Sequence, residues 1–493
     1  MHVLTIQKIN EVYLRVTSEP HIEQELSEYF KFDVPVAKFM PAFRKKMWSG
    51  WIYLYSLKTK TLYHGLLKHL EYFCEERDIQ IEYGYNFKQQ EFTLEDAKKF
   101  VDLIKPSKEP RDYQLEAFVN CVREHRALTL SPTGSGKSLI IYLLSRLYTF
   151  NPSKRKCLII VPTISLVHQM ANDFVSYGYD QDKIYRITAG VEKHSDSPIF
   201  ISTWQSIYKM PRQWFDQFKV VIGDECHQYK SKSLTGILGK LISCKYRFGF
   251  TGTLDNLQVN KLVIEGLFGP TKKVISTREL IDRQQLADLN IKILVLKYPE
   301  ELCKMVKDYS YQDEMDFLCN DTERNDFIKN LATDLKGNTL ILYQYVEKHG
   351  KVLYDQLLQS GKQCHFVHGG VKGTEREEIR TLVENSDNSI IVASYGTFST
   401  GVNIVNLHNV IFASPSKSKI RNLQSIGRGL RVSDVKKNAT LYDIADNLTY
   451  KNKRNYTLNH LIERVKTYDS EKFSYQTYNI EIHKGHTTDS QIV

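Results

Sequence analysis

The hydrophobic positions of this chain fall mostly in short runs. Residues 127–130, 157–161, 199–202, 220–223 and 246–250 are largely apolar and rich in β-branched or aromatic side chains. Such runs, bounded by polar or glycine-bearing turns, read as strands buried on both faces. Helical periodicity separates several of them, as over residues 165–175. Strands alternating with helices predict a parallel sheet covered on both sides. The pattern then recurs, with residues 339–343, 364–367, 390–393, 410–413 and 440–442 making a second set. Between the sets, residues 277–289 read as a helical connection. Residues 321–335 read as a helix with Asp321 as its cap, Ile328, Leu331 and Leu335 on one face, and Gly337 as the stop. Thr374-Glu-Arg-Glu377 reads as a capping box.

The N-terminal stretch is patterned more weakly. Residues 1–16 alternate like a strand, and 22–30 suit a short helix. Residues 43–55 mix cations with aromatics and then alternate; 56–60 suit a turn and 61–65 a return strand. Residues 66–76 form an amphipathic pattern with Leu67, Leu70, Tyr72 and Phe73 inward. A small α+β domain is expected there, with a proline-containing linker at 105–110. Beyond residue 450 the chain is polar and basic, with a helical piece near 458–468. Its last twenty residues lack a hydrophobic period and are expected to fray. The predicted class is α/β: two tandem parallel-sheet domains preceded by a small α+β domain. The expected divisions are 1–100, 101–282, 283–450 and a basic helical extension at 451–493.

Composition narrows the function classes. A chain of 493 residues suits about three domains. Charged residues make up 25% and hydrophobic ones 42%, which is globular rather than disordered. The formal net charge of +10 favours a polyanionic partner without proving one. Of 30 tyrosines and 23 phenylalanines most belong in cores, leaving some to stack on bases. The eight cysteines include no Cys-x-x-Cys pair and no zinc-ligand spacing, so reduced thiols of a cytoplasmic protein are expected. No signal pattern or membrane-length apolar run is present, so no membrane role is expected.

The candidate chemistry starts at Ser131-Pro-Thr-Gly-Ser-Gly-Lys-Ser138. It follows one predicted strand and opens an apolar helix. Free backbone N–H groups and the helix dipole converge there on an anion. Thr133, Gly134, Ser135 and Gly136 would wrap the phosphates of ATP, Lys137 would reach the terminal ones, and Ser138 would bind Mg²⁺. Ser131 stands where the strict pattern has glycine. Asp224-Glu-Cys-His227 ends a second apolar strand, which places its carboxylates at the sheet edge that also carries the phosphate loop. Asp224 suits Mg²⁺, Glu225 the attacking water, and His227 a relay of nucleotide state. Gln114, upstream in Arg111-Asp-Tyr-Gln114, has an amide suited to an adenine edge. Arg428 and Arg431 lie three apart in Gln424-Ser-Ile-Gly-Arg-Gly-Leu-Arg431, hence on one helical face. They could serve as arginine fingers for the γ-phosphate. Near the N-terminus, Arg44, Lys45, Lys46, Trp48 and Trp51 combine phosphate-binding cations with rings. The same residues fit a solvated basic turn beside core tryptophans equally well.

In this order the motifs resemble those of superfamily 2 helicases across residues 111–431. Val161-Pro-Thr-Ile-Ser-Leu-Val-His-Gln169, Ser202-Thr-Trp-Gln-Ser206, Thr251-Gly-Thr253, Val367-His-Gly-Gly370 and residues 393–402 complete the set. The DECH box, the Trp-Ser-Gly-Trp stretch and Lys417-Ser-Lys-Ile420 resemble more narrowly the UvsW helicases of T-even-type bacteriophages. That resemblance implies RecA-like domains, use of ATP and Mg²⁺, and action on branched DNA, single-stranded DNA and RNA–DNA hybrids. R-loop and D-loop unwinding, Holliday-junction branch migration and fork regression would follow, in the host bacterial cytoplasm. A monomer in solution, working beside single-strand-binding and recombination proteins, is also implied. By the same resemblance Thr163, Thr203 and Thr400 would contact strand phosphates. Thr251, Thr253 and Gln424 would couple ATP to closure, and Gly401 would sit near the nucleotide.

Overall fold

The computed structural model describes residues 2–34, 37–85, 90–150, 155–228, 232–252, 258–397, 404, 406–414 and 438–482. The chain divides into two compact units. The first comprises Met1–Ser131 and Gly136–Ile275, and the second Pro132–Ser135 and Ser276–Val493.

In the first unit, a parallel sheet is built from β7 (Arg126–Leu130), β8 (Lys156–Val161), β9 (Ile184–Ile187), β10 (Ile199–Thr203), β11 (Phe218–Gly223), β12 (Tyr246–Thr251) and β13 (Thr271–Lys273). Their order is β13-β7-β12-β11-β8-β10-β9. Successive side chains enter opposite layers, as strand geometry requires. Cys157, Ile159 and Val161 join one hydrophobic cluster, whereas Leu158 and Ile160 join the other. All five are fully buried. Burying a Val, Leu or Ile side chain contributes about 1.5–3 kcal/mol, so runs apolar on both faces are what this sheet demands.

An N-terminal block belongs to the same unit. Its strands β1 (Val3–Lys8), β2 (Tyr13–Thr17), β5 (Thr61–Tyr63) and β6 (Gln80–Tyr83) pair in the order β5-β2-β1-β6, while β3 (Lys31–Asp33) pairs separately with β4 (Trp51–Tyr53). The expected hairpin across residues 56–60 is therefore only a single bridge, Ser56 to Thr61. Thr61–Tyr63 instead zips against Tyr13–Thr17, because Leu62 then enters the cluster of Leu4, Ile6 and Leu14. The block is fastened to the parallel sheet. Arg126 pairs with Glu11 at 3.0 Å, and His69 with Glu265 at 2.9 Å. A Cβ on Gly65 would stand 2.1 Å from the Glu265 carbonyl oxygen, so only glycine permits this approach.

The second unit contains β14 (Asp288–Lys297), β15 (Thr339–Tyr343), β16 (Cys364–Val367), β17 (Ile390–Ser394), β18 (Asn409–Phe412), β19 (Asn438–Asn447) and β20 (Tyr475–Glu481), ordered β16-β17-β15-β18-β19-β14-β20. Asp321 caps the helix Thr322–Asp334 by accepting from the Arg324 N–H at 2.8 Å. Three expectations change. The connecting helix covers only Thr277–Asp282, and the next stretch is the ten-residue strand β14. The helix Gly373–Glu384 has Lys372 at its N-cap, two residues too early for Thr374 to cap it. The segment expected to fray supplies β20, paired along β14 from Ile291↔Tyr475 to Lys297↔Glu481.

Arg247 is fully buried and donates to the carbonyls of Leu238, Leu241 and Leu267 at 2.8–3.1 Å. Burial, and then Arg126, pull its pKa down to about 10. Arg247→Ala orphans these acceptors, each worth about 1–3 kcal/mol when buried and unpaired. Urea unfolding should show a loss of roughly 3 kcal/mol or more.

Candidate nucleotide and nucleic-acid site

Sheet order alone brings the predicted residues of the first unit into a row. β12 lies between β7 and β11. The phosphate loop leaves β7, Thr251 ends β12, and Asp224 follows β11. The Ser131 N–H donates to the Thr251 carbonyl at 2.9 Å, and the Asp224 N–H to the Ile160 carbonyl at 3.0 Å. Along the same edge come the ends of β8 and β10, which carry Thr163 and Thr203. A parallel sheet offers its carboxyl edge to ligands, and this edge carries Asp224 and Thr251 together with Thr163 and Thr203.

The phosphate loop is a tight turn. Ser135 Oγ donates to the Pro132 carbonyl at 2.7 Å, with Thr133 and Gly134 between them. Gly134 has φ of +86° and Gly136 of +77°, both in the region that favours glycine. Gly136 caps the helix Lys137–Thr149. A Cβ there would stand 2.4 Å from Gln114 Nε2. Gln114 is buried; its amide oxygen accepts from the Arg111 N–H at 2.9 Å and its Nε2 donates to the Gly136 carbonyl at 3.3 Å. The predicted adenine reader is thus built against the loop. Lys137 Nζ donates to the Ser131 carbonyl at 3.2 Å. The Ser138 hydroxyl lies 2.9 Å from that of Tyr177, a partner that sequence reasoning missed because the two are 39 positions apart.

Asp224 is buried. Burial, and then repulsion from Glu225, raise its carboxyl well above the ordinary range, while Lys137 and His227 oppose the shift. A cation beside Asp224 would offset both costs, and Ser138 and Asp224 present the hard oxygens that Mg²⁺ takes. These residues therefore fit Mg²⁺. Glu225 has φ of +51°, a left-handed conformation that costs a non-glycine residue about 1–2 kcal/mol. His227 Nδ1 lies 3.0 Å from Thr251 Oγ1 and 3.3 Å from Glu225 Oε2. Carboxylate, imidazole and the end of β12 are thus in direct contact. Thr253, Thr400, Gly401, Gln424, Arg428 and Arg431 lie outside the described residues.

Among the nucleic-acid candidates, Thr163 caps the helix Ile164–Ser176 by accepting from the Leu166 N–H at 3.3 Å. Thr203 is buried, with Oγ1 2.9 Å from Ser206 Oγ. Arg44, Lys45 and Lys46 are exposed, Trp48 is half-buried, and Trp51 is 38% exposed. The alternative of two core tryptophans therefore fails. Trp48 Nε1 donates to the Trp51 carbonyl at 2.8 Å, and Lys31 Nζ stands 4.3 Å from the Trp51 ring centre. Lys31 and the exposed Tyr53 extend this surface beyond the predicted residues. His2, Glu19 and His21 also converge, with donor atoms within 4.8 Å of one another and half-exposed side chains. Their spacing carries no metal signature in the sequence. No helix among the described residues is long and apolar enough to cross a membrane.

Family models described as the type III restriction enzyme res subunit, the helicase conserved C-terminal domain and the N-terminal part of the DNA helicase UvsW match residues 107–256, 323–433 and 5–83. Two parallel sheets with these matches define a superfamily 2 helicase, an ATP-using enzyme with RecA-like domains. The chain is 35% identical over 488 residues to the ATP-dependent DNA helicase uvsW of Enterobacteria phage T4, covering 94% of this chain and 96% of that protein. The crystal structure of T4 UvsW aligns with a TM-score of 0.52 at 32% identity, over 97% of this chain and 99% of that one. A DNA 3'-5' translocase, XPB2 of Sulfurisphaera tokodaii, is 26% identical over 378 residues, covering 69% and 82%. The chain belongs to the UvsW family of ATP-dependent DNA helicases.

Thr251→Val keeps the side-chain shape but removes the hydroxyl beside His227. The expected result is a fall of roughly 3- to 30-fold in DNA-stimulated ATPase rate, with the midpoint of thermal unfolding little changed, since one hydrogen bond is worth about 0.5–1.5 kcal/mol. Steady-state phosphate release with and without DNA checks this.

Proposed function

We propose that this chain is a motor that remodels branched DNA and RNA–DNA hybrids: R-loop and D-loop unwinding, Holliday-junction branch migration and fork regression. Recombination, repair and replication in a host bacterial cytoplasm would be its setting, as the family resemblance implies. One observation carries the reading. An N-terminal block exposing Arg44, Lys45, Lys46 and Trp51 is built into the same compact unit as the sheet edge of Lys137, Asp224 and Glu225. A separate substrate-engaging surface fixed to an ATPase sheet suits junctions, which present more than one strand direction at once.

Lys137 neutralises the terminal phosphates, and the loop N–H groups from Gly134 to Ser138 hold them. Ser138 and Asp224 would hold Mg²⁺, which would supply charge neutralisation on the phosphates when bound. Glu225 orients a water and takes its proton as the water oxygen bonds to the γ-phosphorus. The bridging P–O bond breaks, and ADP keeps that oxygen. Arg428 and Arg431 stabilise the charge spread over the γ-phosphate oxygens. Gly401 contributes to the nucleotide site as the family resemblance implies. Thr251, Thr253, His227 and Gln424 pass nucleotide state onward. Thr163, Thr203 and Thr400 hold strand phosphates, contacts blind to sequence. Because phosphate tracking tolerates either sugar, an RNA duplex belongs among the test substrates.

ATPase stimulation should be greatest with forked, four-way and R-loop substrates and least with linear duplex DNA or duplex RNA. Equal stimulation by linear single strands and junctions would defeat the branched-substrate reading. Lys137→Ala and Glu225→Gln should each cut turnover by about 100-fold or more while gel-shift affinity for forked DNA stays within a few-fold. Parental turnover in either variant would remove that residue from its assigned role.

A further inference from the structure

We propose that His2, Glu19 and His21 form a zinc-binding site on the N-terminal block, separate from the Mg²⁺ residues of the sheet edge. Glu19 Oε2 lies 3.0 Å from His2 Nδ1 and 3.5 Å from His21 Nδ1. One donor atom from each of the three residues falls within 4.8 Å of the others. Ligand atoms around a tetrahedral zinc, each about 2.0–2.1 Å from the ion, stand about 3.4 Å apart. The two carboxylate distances straddle that edge. The imidazole ring centres are 5.0 Å apart with the planes inclined at 74°, and both Nδ1 atoms face one oxygen. Hydrogen bonding accounts for only part of this arrangement. The His2 contact is within the ordinary range, whereas the His21 contact is beyond it.

The backbone that carries the three residues is fixed from several directions. The His2 carbonyl accepts from the Gln80 N–H at 2.9 Å, where β6 runs parallel to β1. The Ser18 hydroxyl donates to the Val3 carbonyl at 2.6 Å, which ties the residue after β2 to the start of β1. Glu19 is the N-cap of the helix Pro20–Tyr29, and Pro20 at its first position fixes φ between the two later ligands. Ile22 and Leu26 of that helix enter the block's hydrophobic cluster, which sets its rotation. The side chains of His2, Glu19 and His21 are 50–57% exposed, so an ion reaches them without any opening of the fold. Donors placed on a strand end and a helix end, rather than on a free loop, are held near one geometry.

Two imidazoles and one carboxylate suit zinc, whereas Mg²⁺ takes an all-oxygen set. The block and the sheet edge therefore select different ions. Three protein ligands leave the fourth position to water. A bound ion closes a loop, because it joins the residue before β1 to the cap and first turn of a helix. Chain ends fray unless they are tied down. Zinc thus clamps the start of β1 and slows the local opening that exposes the amides of Val3 and Leu4.

The test titrates zinc chloride calorimetrically into tag-free full-length protein in excess Mg²⁺, beside His2→Ala, His21→Ala and Glu19→Gln. His227 also stands beside a carboxylate, that of Glu225, so His227→Ala controls for zinc held there instead. Hydrogen exchange of the peptide containing Val3 and Leu4 is followed in parallel. The parent should bind zinc with an affinity that each of the three variants lowers by about 10-fold or more, while His227→Ala retains it. Exchange at Val3 and Leu4 should slow by about 10-fold when free zinc is about ten times its Kd, and not at all in His2→Ala. Because all three side chains are half exposed, the metal-free variants should unfold at the parent's midpoint. No zinc binding by the parent, binding undiminished in the three variants, or binding lost in His227→Ala alone overturns the proposal. Equal protection of Val3 and Leu4 by Mg²⁺ overturns it as well.

Discussion

A strand buried on both faces has no side-chain surface left for a ligand, and that constraint organises the first unit. Its sheet spends both layers on hydrophobic clusters. Chemistry is left to the ends of the strands, where the backbone has just left the ladder. Parallel strands end on one edge, so residues far apart in sequence arrive in a row: Ser131, Thr251, Asp224, Thr163 and Thr203 follow the ends of β7, β12, β11, β8 and β10. The same burial sets the electrostatics. Asp224 stands where a charge is costly, so its carboxyl is held high until a cation is near. The neighbouring Glu225 carries backbone strain in a left-handed conformation at the point where a rigid side chain is most useful.

Much of this was legible because the two strongest signals are local. An apolar run followed by a glycine-bearing loop, and another followed by two carboxylates, each specify a strand and its end. The pieces that escaped are those whose reason is not local. β14 reads Asp288-Leu-Asn-Ile-Lys before turning apolar, and it becomes a strand because β19 and β20 flank it over most of its length. β20 is mostly exposed; its ladder hydrogen bonds hold it, with Tyr478 and Ile480 packed partly buried against the unit's core. β9 and β13, four and three residues long, are too short for a period to show. In the N-terminal block a turn between two β-like stretches suggested a hairpin, yet register was decided by which partner buried Leu62.

The site shows the same division. The loop glycines, Lys137, Asp224 and Glu225 could be assigned from adjacent residues. Tyr177 beside Ser138, and His2 beside Glu19, depend on contacts across 39 and 17 positions, which no short motif records. Trp51 was undecided for a different reason. Composition cannot tell a ring that fills a core from one that faces solvent beside a lysine, whereas exposure and the Lys31 contact can.

The placement of the N-terminal block follows from a single strand. β7 begins at Arg126, which is paired to Glu11 of the block, and ends five residues later at the phosphate loop. Gly65 against the Glu265 carbonyl and His69 against the Glu265 carboxylate add backbone and side-chain fastenings on a helix that follows β12. Leu262 of that helix enters the block's own hydrophobic cluster. With a shared core, a part-buried ion pair and a contact that tolerates no Cβ, the block and the ATPase sheet form one compact unit. The exposed cations and rings of the block are then carried by the same compact unit as Lys137 and Asp224, rather than by a tethered accessory. Tight packing there costs the sequence freedom at Gly65 and Arg126, and what it provides is a fixed distance between the block and the strand ends of the parallel sheet.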